Sequence, residues 1–297
     1  MRQVVVLSGK GGTGKTTVTA GLAFLAAQGM DLVLADADVD AANLELVLDP
    51  AKRERHEFWS GRLAVIDPEK CTACGRCAEV CRFDAVIPDE RAYQIDALAC
   101  EGCATCAFQC PVEAIEMVEQ QAGCWFRSET RLGALFHAHL FAGQENSGKL
   151  VSRVKKEAGD WASDHGADLL LVDGPPGIGC PVIAASTGAD LALLVVEPTV
   201  AGVHDLQRVL ATTEHFRVPA LVVINKADLN TGQTERISAF CEERGVPVVG
   251  TLSYDPQVTK AMVHGQPVPE YVDGPIRGEF ERVWQTVRTY VGNGQEV

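Results

Sequence analysis

The chain has 297 residues, of which 46% are hydrophobic and 22% are charged, a composition typical of a globular protein and not of a disordered or fibrous one. Its 26 basic and 40 acidic residues give a formal net charge of −14, which argues against nucleic acid or an anionic membrane as a partner. The sequence has neither a signal peptide pattern nor a run of roughly 18 apolar residues that would span a membrane. We therefore expect a cytoplasmic protein whose 11 cysteines serve metal or redox chemistry and not disulfides.

Five short apolar runs, each followed by an amphipathic stretch, flank a cysteine-rich segment. The runs cover residues 4–7, 32–36, 169–173, 191–196 and 221–225. Apolar runs separated by helical patterns predict parallel strands covered by helices on both faces. The predicted fold class is α/β with a doubly wound, mostly parallel sheet. Residues 1–60 and 121–297 are predicted to form one discontinuous domain around an inserted module at residues 61–120.

A glycine-rich segment follows the first predicted strand and precedes a predicted helix over residues 16–28. It fits the pattern G-x4-G-K-[ST]. Glycines let backbone N–H groups point at phosphate, Lys15 can pair with β- and γ-phosphate oxygens, and the Thr16 hydroxyl can bind Mg²⁺. The predicted phosphate-binding residues are Gly11, Gly12, Thr13, Gly14, Lys15, Thr16 and Thr17.

Lys10 follows the first glycine of this loop, and in this respect the loop resembles the deviant Walker A motif of the MinD/ParA/nitrogenase iron protein superfamily of P-loop ATPases. The resemblance implies that Lys10 reaches across a nucleotide-sandwich dimer and stabilises transition-state charge, as an arginine finger does. The partner would be a second copy or a paralogue. The alternative is a solvated lysine at a loop tip.

Two acidic segments follow predicted strands. Residues 36–44 are similar to switch I of that family, D-x-D-x4-N-L, which implies that Asp38 orients the attacking water and that Asp36 lies nearer the metal. Residues 173–177, D-G-P-P-G, are similar to its switch II, which implies that Asp173 holds Mg²⁺ through water. The predicted Mg²⁺ residues are thus Thr16, Asp36 and Asp173, although a carboxylate at a strand end can instead cap a helix.

The cysteine-rich segment contains the pattern C-x2-C-x2-C-x3-C twice, 29 residues apart, and each half is too small to bury a core of its own. The segment resembles a bacterial ferredoxin with two 4Fe–4S clusters, an α+β domain. In that family the fourth cysteine of each run binds the other cluster. The resemblance assigns Cys71, Cys74, Cys77 and Cys110 to one cluster, and Cys100, Cys103, Cys106 and Cys81 to the other. Zinc is the alternative, but zinc sites usually pair two C-x2-C units across a longer loop.

Three cysteines lie outside these runs. Cys124 and Cys241 are expected to be buried apolar thiols. Cys180 comes seven residues after Asp173, a position similar to that of a cluster-ligating cysteine in the nitrogenase iron protein. It is either an interfacial metal or cluster ligand or a small residue buried under switch II. Within residues 135–140, two alternating histidines fit either a metal site or a half-exposed strand.

The nucleotide base is predicted from two further segments. Residues 225–228 spell N-K-A-D, the guanine signature of GTPases, and these four letters leave GTP open. In the MinD-like family the asparagine at this strand end contacts adenine, and residues 253–256, S-Y-D-P, resemble its loop over the base. We therefore expect ATP, with Asn225, Asp228 and Pro256 near the base.

The last predicted helix, residues 278–291, has one apolar face and only two basic residues, which favours packing on the domain over membrane docking. Taken together, the motifs predict an ATP-binding and hydrolysing iron–sulfur protein that couples a nucleotide-switched dimer to electron transfer, with ATP, Mg²⁺ and two 4Fe–4S clusters as cofactors. Its partner would be a redox or metallocofactor-containing protein. The alternative is an ATP-dependent iron–sulfur or metallocofactor assembly or carrier factor.

Overall fold

The computed structural model describes residues 1–293, which form two compact units. Unit 1 comprises Met1–His56, Trp125–His139 and the chain from Ser147 on; unit 2 comprises Glu57–Cys124 and Leu140–Asn146. The predicted module of residues 61–120 lies within unit 2, which is longer at both ends and includes a second segment.

The strands are β1 (Arg2–Ser8), β2 (Leu32–Asp36), β3 (Lys52–Ile66), β4 (Val86–Pro88), β5 (Tyr93–Ile95), β6 (Ile115–Thr130), β7 (Gly133–Leu140), β8 (Leu169–Pro176), β9 (Leu191–Val196), β10 (Ala220–Asn225) and β11 (Val248–Leu252). The helices are α1 (Lys15–Ala26), α2 (Leu44–Leu48), α3 (Arg76–Val80), α4 (Thr105–Phe108), α5 (Ser147–Asp164), α6 (Cys180–Ser186), α7 (Gly202–His215), α8 (Thr231–Glu243), α9 (Gln257–Val263), α10 (Val268–Tyr271) and α11 (Pro275–Asn293).

One large sheet has the strand order β11-β10-β9-β1-β8-β2-β7-β6-β3. Every neighbouring pair from β11 to β7 is parallel, so the predicted α/β fold with a mostly parallel sheet is confirmed. All five predicted strands are present. β8 differs from its prediction because it continues through the two prolines to Pro176. The Gly177 N–H then donates to the Ser8 carbonyl at 2.9 Å, so the pairing with β1 continues past two residues that have no N–H.

The sheet is covered on both faces because successive side chains of a buried strand point to opposite sides. Val4 and Val6 of β1 belong to the same buried cluster as residues of α1 and α11, whereas α7 packs on β1 and α5 and α6 pack on β8. Burying one such side chain contributes about 1.5–3 kcal/mol, so the paired layers stabilise unit 1 without any ligand.

The C-terminal helix α11 packs onto unit 1 as predicted. Its buried side chains are Phe280, Val283, Trp284, Val287 and Val291. None of the helices in the described residues combines the length and the apolar surface that a membrane-spanning segment requires.

Unit 2 repeats its backbone conformation along with its sequence. Left-handed residues at Ala73 (φ 54°) and Asp84 (φ 51°) recur 29 positions later at Gly102 (φ 63°) and Glu113 (φ 52°). At Gly102 an added Cβ would lie 2.2 Å from the Arg62 carbonyl oxygen, so glycine is required there. The other three residues adopt a conformation that costs non-glycine residues roughly 1 kcal/mol or more, and such residues persist only where the surrounding structure fixes them.

The buried centre of unit 2 is small. It consists of Ala64, Cys77, Val86 and Cys106, beside the antiparallel pair β4-β5. Two of these four residues are predicted cluster ligands. Apolar packing alone therefore contributes little to the stability of this unit.

Candidate nucleotide site and cysteine cavities

The predicted phosphate loop and both acidic segments follow three adjacent strands, β1, β8 and β2. Because parallel strands end at the same sheet edge, their carboxyl ends bring these segments together. The register places Asp173 of β8 beside Val6 of β1 on one side and beside Asp36 of β2 on the other.

A buried ion cluster forms at this edge. Lys15 Nζ lies 3.2 Å from Asp173 Oδ1 and 3.5 Å from Asp38 Oδ2. Asp173 also accepts hydrogen bonds from the hydroxyls of Thr16 (2.6 Å) and Thr19 (2.9 Å). The structure thus brings Lys15, Thr16, Asp38 and Asp173 into one constellation.

Thr19 was not predicted as a site residue. It is fully buried and holds the Asp173 carboxylate from the second turn of α1. Its spacing was informative, because a residue four positions after Lys15 lies on the same helix face as that lysine.

Charge in this cluster is unbalanced. Burial acts to lower the pKa of Lys15, but Asp173, Asp38 and Asp36 outweigh it and raise that pKa. Burial, followed by Asp173, raises the pKa of Asp36; burial also raises that of Asp38, against the attraction of Lys15. Three carboxylates beside one ammonium form an oxygen-rich, electronegative site, and these donors fit Mg²⁺.

Asp36 holds the following loop in place. Its carboxylate accepts hydrogen bonds from the backbone N–H groups of Asp38 (3.1 Å), Asn43 (3.1 Å) and Leu44 (2.9 Å). These contacts fix the segment that carries Asp38 and the start of α2. Direct binding of Asp36 to Mg²⁺ stays a prediction, and the contacts present give this carboxylate a positioning role.

The phosphate loop is fixed from the far side by Asn225, at the end of β10. Its side-chain amide donates to the Thr13 carbonyl at 2.8 Å. At Gly14 (φ 88°) an added Cβ would lie 2.2 Å from Asn225 Nδ2, so glycine is required. Asn225 therefore contacts the loop itself, and its contact with a base stays a prediction.

The other residues predicted for the phosphate loop and the base lie around this contact between Asn225 and the loop. Gly11 and Gly12 are exposed in the loop, and Thr17 Oγ1 lies 3.8 Å from Met262 Sδ. The Asp228 carboxylate accepts the Tyr254 N–H at 2.6 Å, and Pro256 caps α9. Asp228 thus ties the N-K-A-D segment to the S-Y-D-P segment.

Lys10 lies apart from the Lys15 cluster. Its Nζ is 3.3 Å from Thr199 Oγ1 and 3.6 Å from Glu197 Oε2, and Lys226 pairs with the same glutamate. Glu197 was not predicted, since nothing in its local sequence indicates that two lysines converge on it. These contacts hold Lys10 within its own chain, and its reach across a dimer stays a prediction.

The isolated cysteines behave in two ways. Cys124 and Cys241 are buried as predicted. Cys180 is exposed, so the alternative of a small residue buried under switch II is wrong. It is the first residue of α6, and the helix turns its other side toward the sheet.

The eight repeated cysteines line two cavities in unit 2. The first is lined by Cys71, Cys74, Cys77 and Cys110. The second is lined by Cys81, Cys100, Cys103 and Cys106. Each cavity takes three cysteines from one repeat and the fourth from the other.

Hydrogen bonds and burial set the environment of these cysteine sulfurs. The Ala73 N–H donates to Cys71 Sγ at 3.4 Å, and the Ala114 N–H donates to Cys110 Sγ at 3.3 Å. Burial raises the pKa of Cys77, whereas the Thr105 side chain lowers that of Cys103. Four sulfurs around one cavity, with N–H donors directed at them, fit a 4Fe–4S cluster.

Comparison with known proteins places this geometry in a family. The model of the CobQ/CobB/MinD/ParA nucleotide binding domain matches residues 4–268. An uncharacterised protein of Methanocaldococcus jannaschii is 35% identical over 228 residues, covering 77% of this chain and 79% of its own length. A second uncharacterised protein of that organism is 26% identical over 290 residues, covering 95% and 96%.

A solved structure agrees with the fold. The septum site-determining protein MinD of Pyrococcus horikoshii, in complex with Mg-ADP, has a TM-score of 0.60 at 19% identity, covering 100% of this chain and 99% of its own. The family match spans most of the chain, including the phosphate loop, both carboxylate loops and Asn225. The chain therefore belongs to the CobQ/CobB/MinD/ParA family of nucleotide-binding proteins.

Proposed function

We propose that this protein is an ATPase whose nucleotide state controls electron transfer through two 4Fe–4S clusters. The observation that carries the proposal is the arrangement of the eight cysteines, with each cavity combining three cysteines of one repeat and one of the other. Two zinc sites do not require this exchange, whereas it is the ligand pattern of two-cluster ferredoxins.

The nucleotide half rests on the buried cluster at the sheet edge. Lys15, now paired with Asp173 and Asp38, would exchange these carboxylates for β- and γ-phosphate oxygens. Thr16 and Asp173 would hold Mg²⁺, which supplies charge stabilisation at the transferring phosphoryl group. Asp38, released from Lys15, would orient the attacking water.

The base and the dimer follow from the family. ATP is preferred to GTP because MinD of Pyrococcus horikoshii, which shares this fold, was solved with Mg-ADP, whereas only the letters N-K-A-D favour GTP. In a sandwich dimer, Lys10 would leave Glu197 and Thr199 and supply a cation to the partner's phosphates. The similarity to two different proteins of one organism supports a paralogue as well as a second copy as that partner.

The cysteine half would carry electrons. When bound, each 4Fe–4S cluster supplies a one-electron redox centre. The chain's own residues hold and tune that centre: the Ala73 and Ala114 N–H groups donate to ligand sulfurs, which stabilises negative charge on them.

An anaerobic redox titration followed by EPR, with and without Mg-ATP, tests the coupling. Two cluster signals whose potential or line shape shifts with Mg-ATP are expected. Two signals that ignore the nucleotide would oppose control of the clusters by ATP and favour an assembly or carrier role. A protein that binds ATP and contains zinc in place of iron would overturn the redox half alone.

A further inference from the structure

Three side chains of unit 1 that the nucleotide site does not use converge next to the Asp38 loop. His137 and His139 lie on β7, and Glu45 lies on α2. His137 Nδ1 is 3.3 Å from Glu45 Oε2, and His139 Nε2 is 3.2 Å from Glu45 Oε1. One ligand atom from each of the three residues can be chosen so that all lie within 4.8 Å of one another. The alternation noted in the sequence therefore puts both imidazoles on one strand face, against one carboxylate.

Two of the facing atoms are buried and make no hydrogen bond. Within the part of the chain that the structure describes, neither His137 Nδ1 nor Glu45 Oε2 has a hydrogen-bond partner, although His137 is fully buried and Glu45 is 7% exposed. The prediction of a half-exposed strand is thus wrong at His137. A buried polar atom without a hydrogen bond costs about 1–3 kcal/mol. This applies to His137 Nδ1, whereas Glu45 Oε2 has an ion pair with Arg53 at 2.7 Å.

The chemistry of the ring explains what would fit between them. His137 Nε2 lies 2.9 Å from the buried Ser128 hydroxyl. With Nε2–H donating to Ser128, Nδ1 presents a lone pair to a carboxylate oxygen. Two acceptors in contact repel each other unless a cation lies between them.

We propose that Glu45, His137 and His139 bind a divalent transition-metal ion of the zinc class, at a site separate from the Mg²⁺ site of the nucleotide. Zinc–nitrogen and zinc–oxygen distances of about 2.0–2.1 Å imply ligand separations of about 3.3 Å in a tetrahedron, the length of the contact between His137 Nδ1 and Glu45 Oε2. Imidazole ligands favour zinc and its neighbours over Mg²⁺ or Ca²⁺. Ser128 is placed to orient His137, as the hydrogen-bonding partners of metal-bound histidines generally do.

The site is also accessible. The side chain of His139 is 43% exposed, so an ion can enter from solvent and keep a water as its fourth ligand. Arg53 competes for the carboxylate: its Nη2 is 2.7 Å from Glu45 Oε2, in contact but outside hydrogen-bonding geometry. The Arg53 side chain is 47% exposed and can turn into solvent when the ion binds.

The test compares zinc uptake by the full chain, purified anaerobically, with uptake by two histidine variants, using a chromophoric chelator as competitor. His139→Gln is expected to lose one equivalent, with affinity at that site reduced about 100-fold or more. His165→Gln is the control, because His165 stacks on Trp161 outside the cluster and its loss leaves uptake unchanged. The eight repeated cysteines are common to all three proteins and cancel from the difference. Equal uptake and affinity in the wild type and His139→Gln would overturn the proposal.

Cobalt identifies the ligands of the equivalent that is lost. The difference between the Co²⁺ spectra of the wild type and of His139→Gln is expected to contain d–d bands without thiolate charge transfer. Charge-transfer bands in that difference would assign the ion to cysteine and contradict the site. Arg53→Gln is expected to bind zinc several-fold more tightly, because the competing guanidinium is gone. Weaker binding by Arg53→Gln would exclude Glu45 Oε2 as a ligand atom.

Discussion

Unit 1 and unit 2 differ in how their candidate sites relate to their buried cores. In unit 1 the site lies at the edge of a sheet whose two faces are buried against helices, and its charged residues sit outside the apolar core. In unit 2 the small buried centre includes Cys77 and Cys106, so predicted ligands and core are the same atoms. We therefore expect unit 1 to be stable without a ligand and unit 2 to depend on the clusters proposed for its cysteines.

The backbones show the same contrast. Unit 1 has glycine at the left-handed positions next to the phosphate site, Gly12 and Gly14, and its non-glycine residues of positive φ, Asp49, Arg217 and Lys226, do not recur at a fixed spacing. Unit 2 repeats left-handed conformations at non-glycine residues, such as Asp84 and Glu113. Strain of this kind needs an external constraint, and ligand bonds from the neighbouring cysteines would provide it.

The largest expected effect follows from removing the iron of the two proposed clusters. Anaerobic extraction with a chelator and an oxidant is expected to abolish hydrogen-exchange protection in residues 71–117 while leaving β1, β8 and β9 protected. The reason is that the apolar centre of unit 2 is too small to replace lost metal–sulfur bonds. Retained hydrogen-exchange protection in β4 and β5 after complete loss of iron would contradict the dependence of unit 2 on its ligands. Recovery of protection when iron and sulfide are added back is the control for irreversible damage.

Lys15→Ala tests the same contrast by changing the candidate site of unit 1. Its ammonium is buried among Asp173, Asp38 and Asp36, and phosphate oxygens need the same charge, so ATP affinity is expected to fall about 1000-fold or more. Three carboxylates are also left without their cation, which lowers the free energy of unfolding by about 3–5 kcal/mol. Nucleotide binding and melting curves measure the two effects.

The iron chromophore distinguishes local from global damage in that variant. If the units are independent in stability, Lys15→Ala keeps the absorbance of both clusters. Loss of iron would mean that unit 2 depends on the nucleotide site. The matched control is Lys156→Ala, which removes an exposed lysine that pairs with the surface residue Asp160.

How far the sequence could predict the molecule differs between the units. The central strands were predictable because fully buried parallel strands form unbroken apolar runs, such as residues 191–196. β7 was anticipated only as a half-exposed strand, because the partners that accompany the burial of His137, Ser128 and Glu45, lie on other elements. Residues 140–146 return to unit 2 for the same reason: no local pattern marks a segment that is held by long-range contacts.

Within the site, spacing predicted residues that lie in one loop, and it failed for side chains recruited from elsewhere. Lys15 and Thr16 belong to one motif and meet Asp173 as expected. Glu197 acts through partners that only the fold brings close, whereas Thr19 was missed although its spacing places it on the helix face of Lys15. Exposure of Cys180 was also beyond prediction, since it depends on which side of α6 faces the sheet.

A smaller effect is expected from Lys10→Ala, which tests the role of Lys10 in the nucleotide site of unit 1. Since Lys10 contacts Glu197 and Thr199 and not the Lys15 cluster, ATP affinity is expected to stay within about twofold, while hydrolysis slows by about 100-fold for want of a cation at the transition state. Steady-state turnover and a binding titration separate the two. Normal turnover would remove Lys10 from the mechanism, and Lys226→Ala controls for loss of the shared Glu197 pair.

The smallest effect concerns a buried lysine far from either set of ligands. Lys155 on α5 donates to the carbonyl oxygens of Ala185 (2.6 Å) and Thr187 at the end of α6, and burial lowers its pKa to about 8. The folded protein therefore releases this proton at a lower pH than the unfolded chain, which holds it up to about pH 10.5. Stability from this group is reduced below pH 8 and recovers as the pH rises between these values.

Denaturant unfolding at pH 7 and pH 9.5 measures this recovery. The quantity compared is the free energy of unfolding of the wild type minus that of Lys155→Met at each pH. We expect the wild type to gain about 1–2 kcal/mol in free energy of unfolding relative to Lys155→Met between pH 7 and pH 9.5. This gain corresponds to roughly one pKa unit or slightly more. Lys156→Met, which changes the neighbouring exposed lysine, should show no such rise, because its ion pair with Asp160 raises the pKa of Lys156 instead. A flat difference for Lys155→Met would mean that the two carbonyl hydrogen bonds keep the ammonium charged throughout, and that the α5–α6 contact relies on that charge.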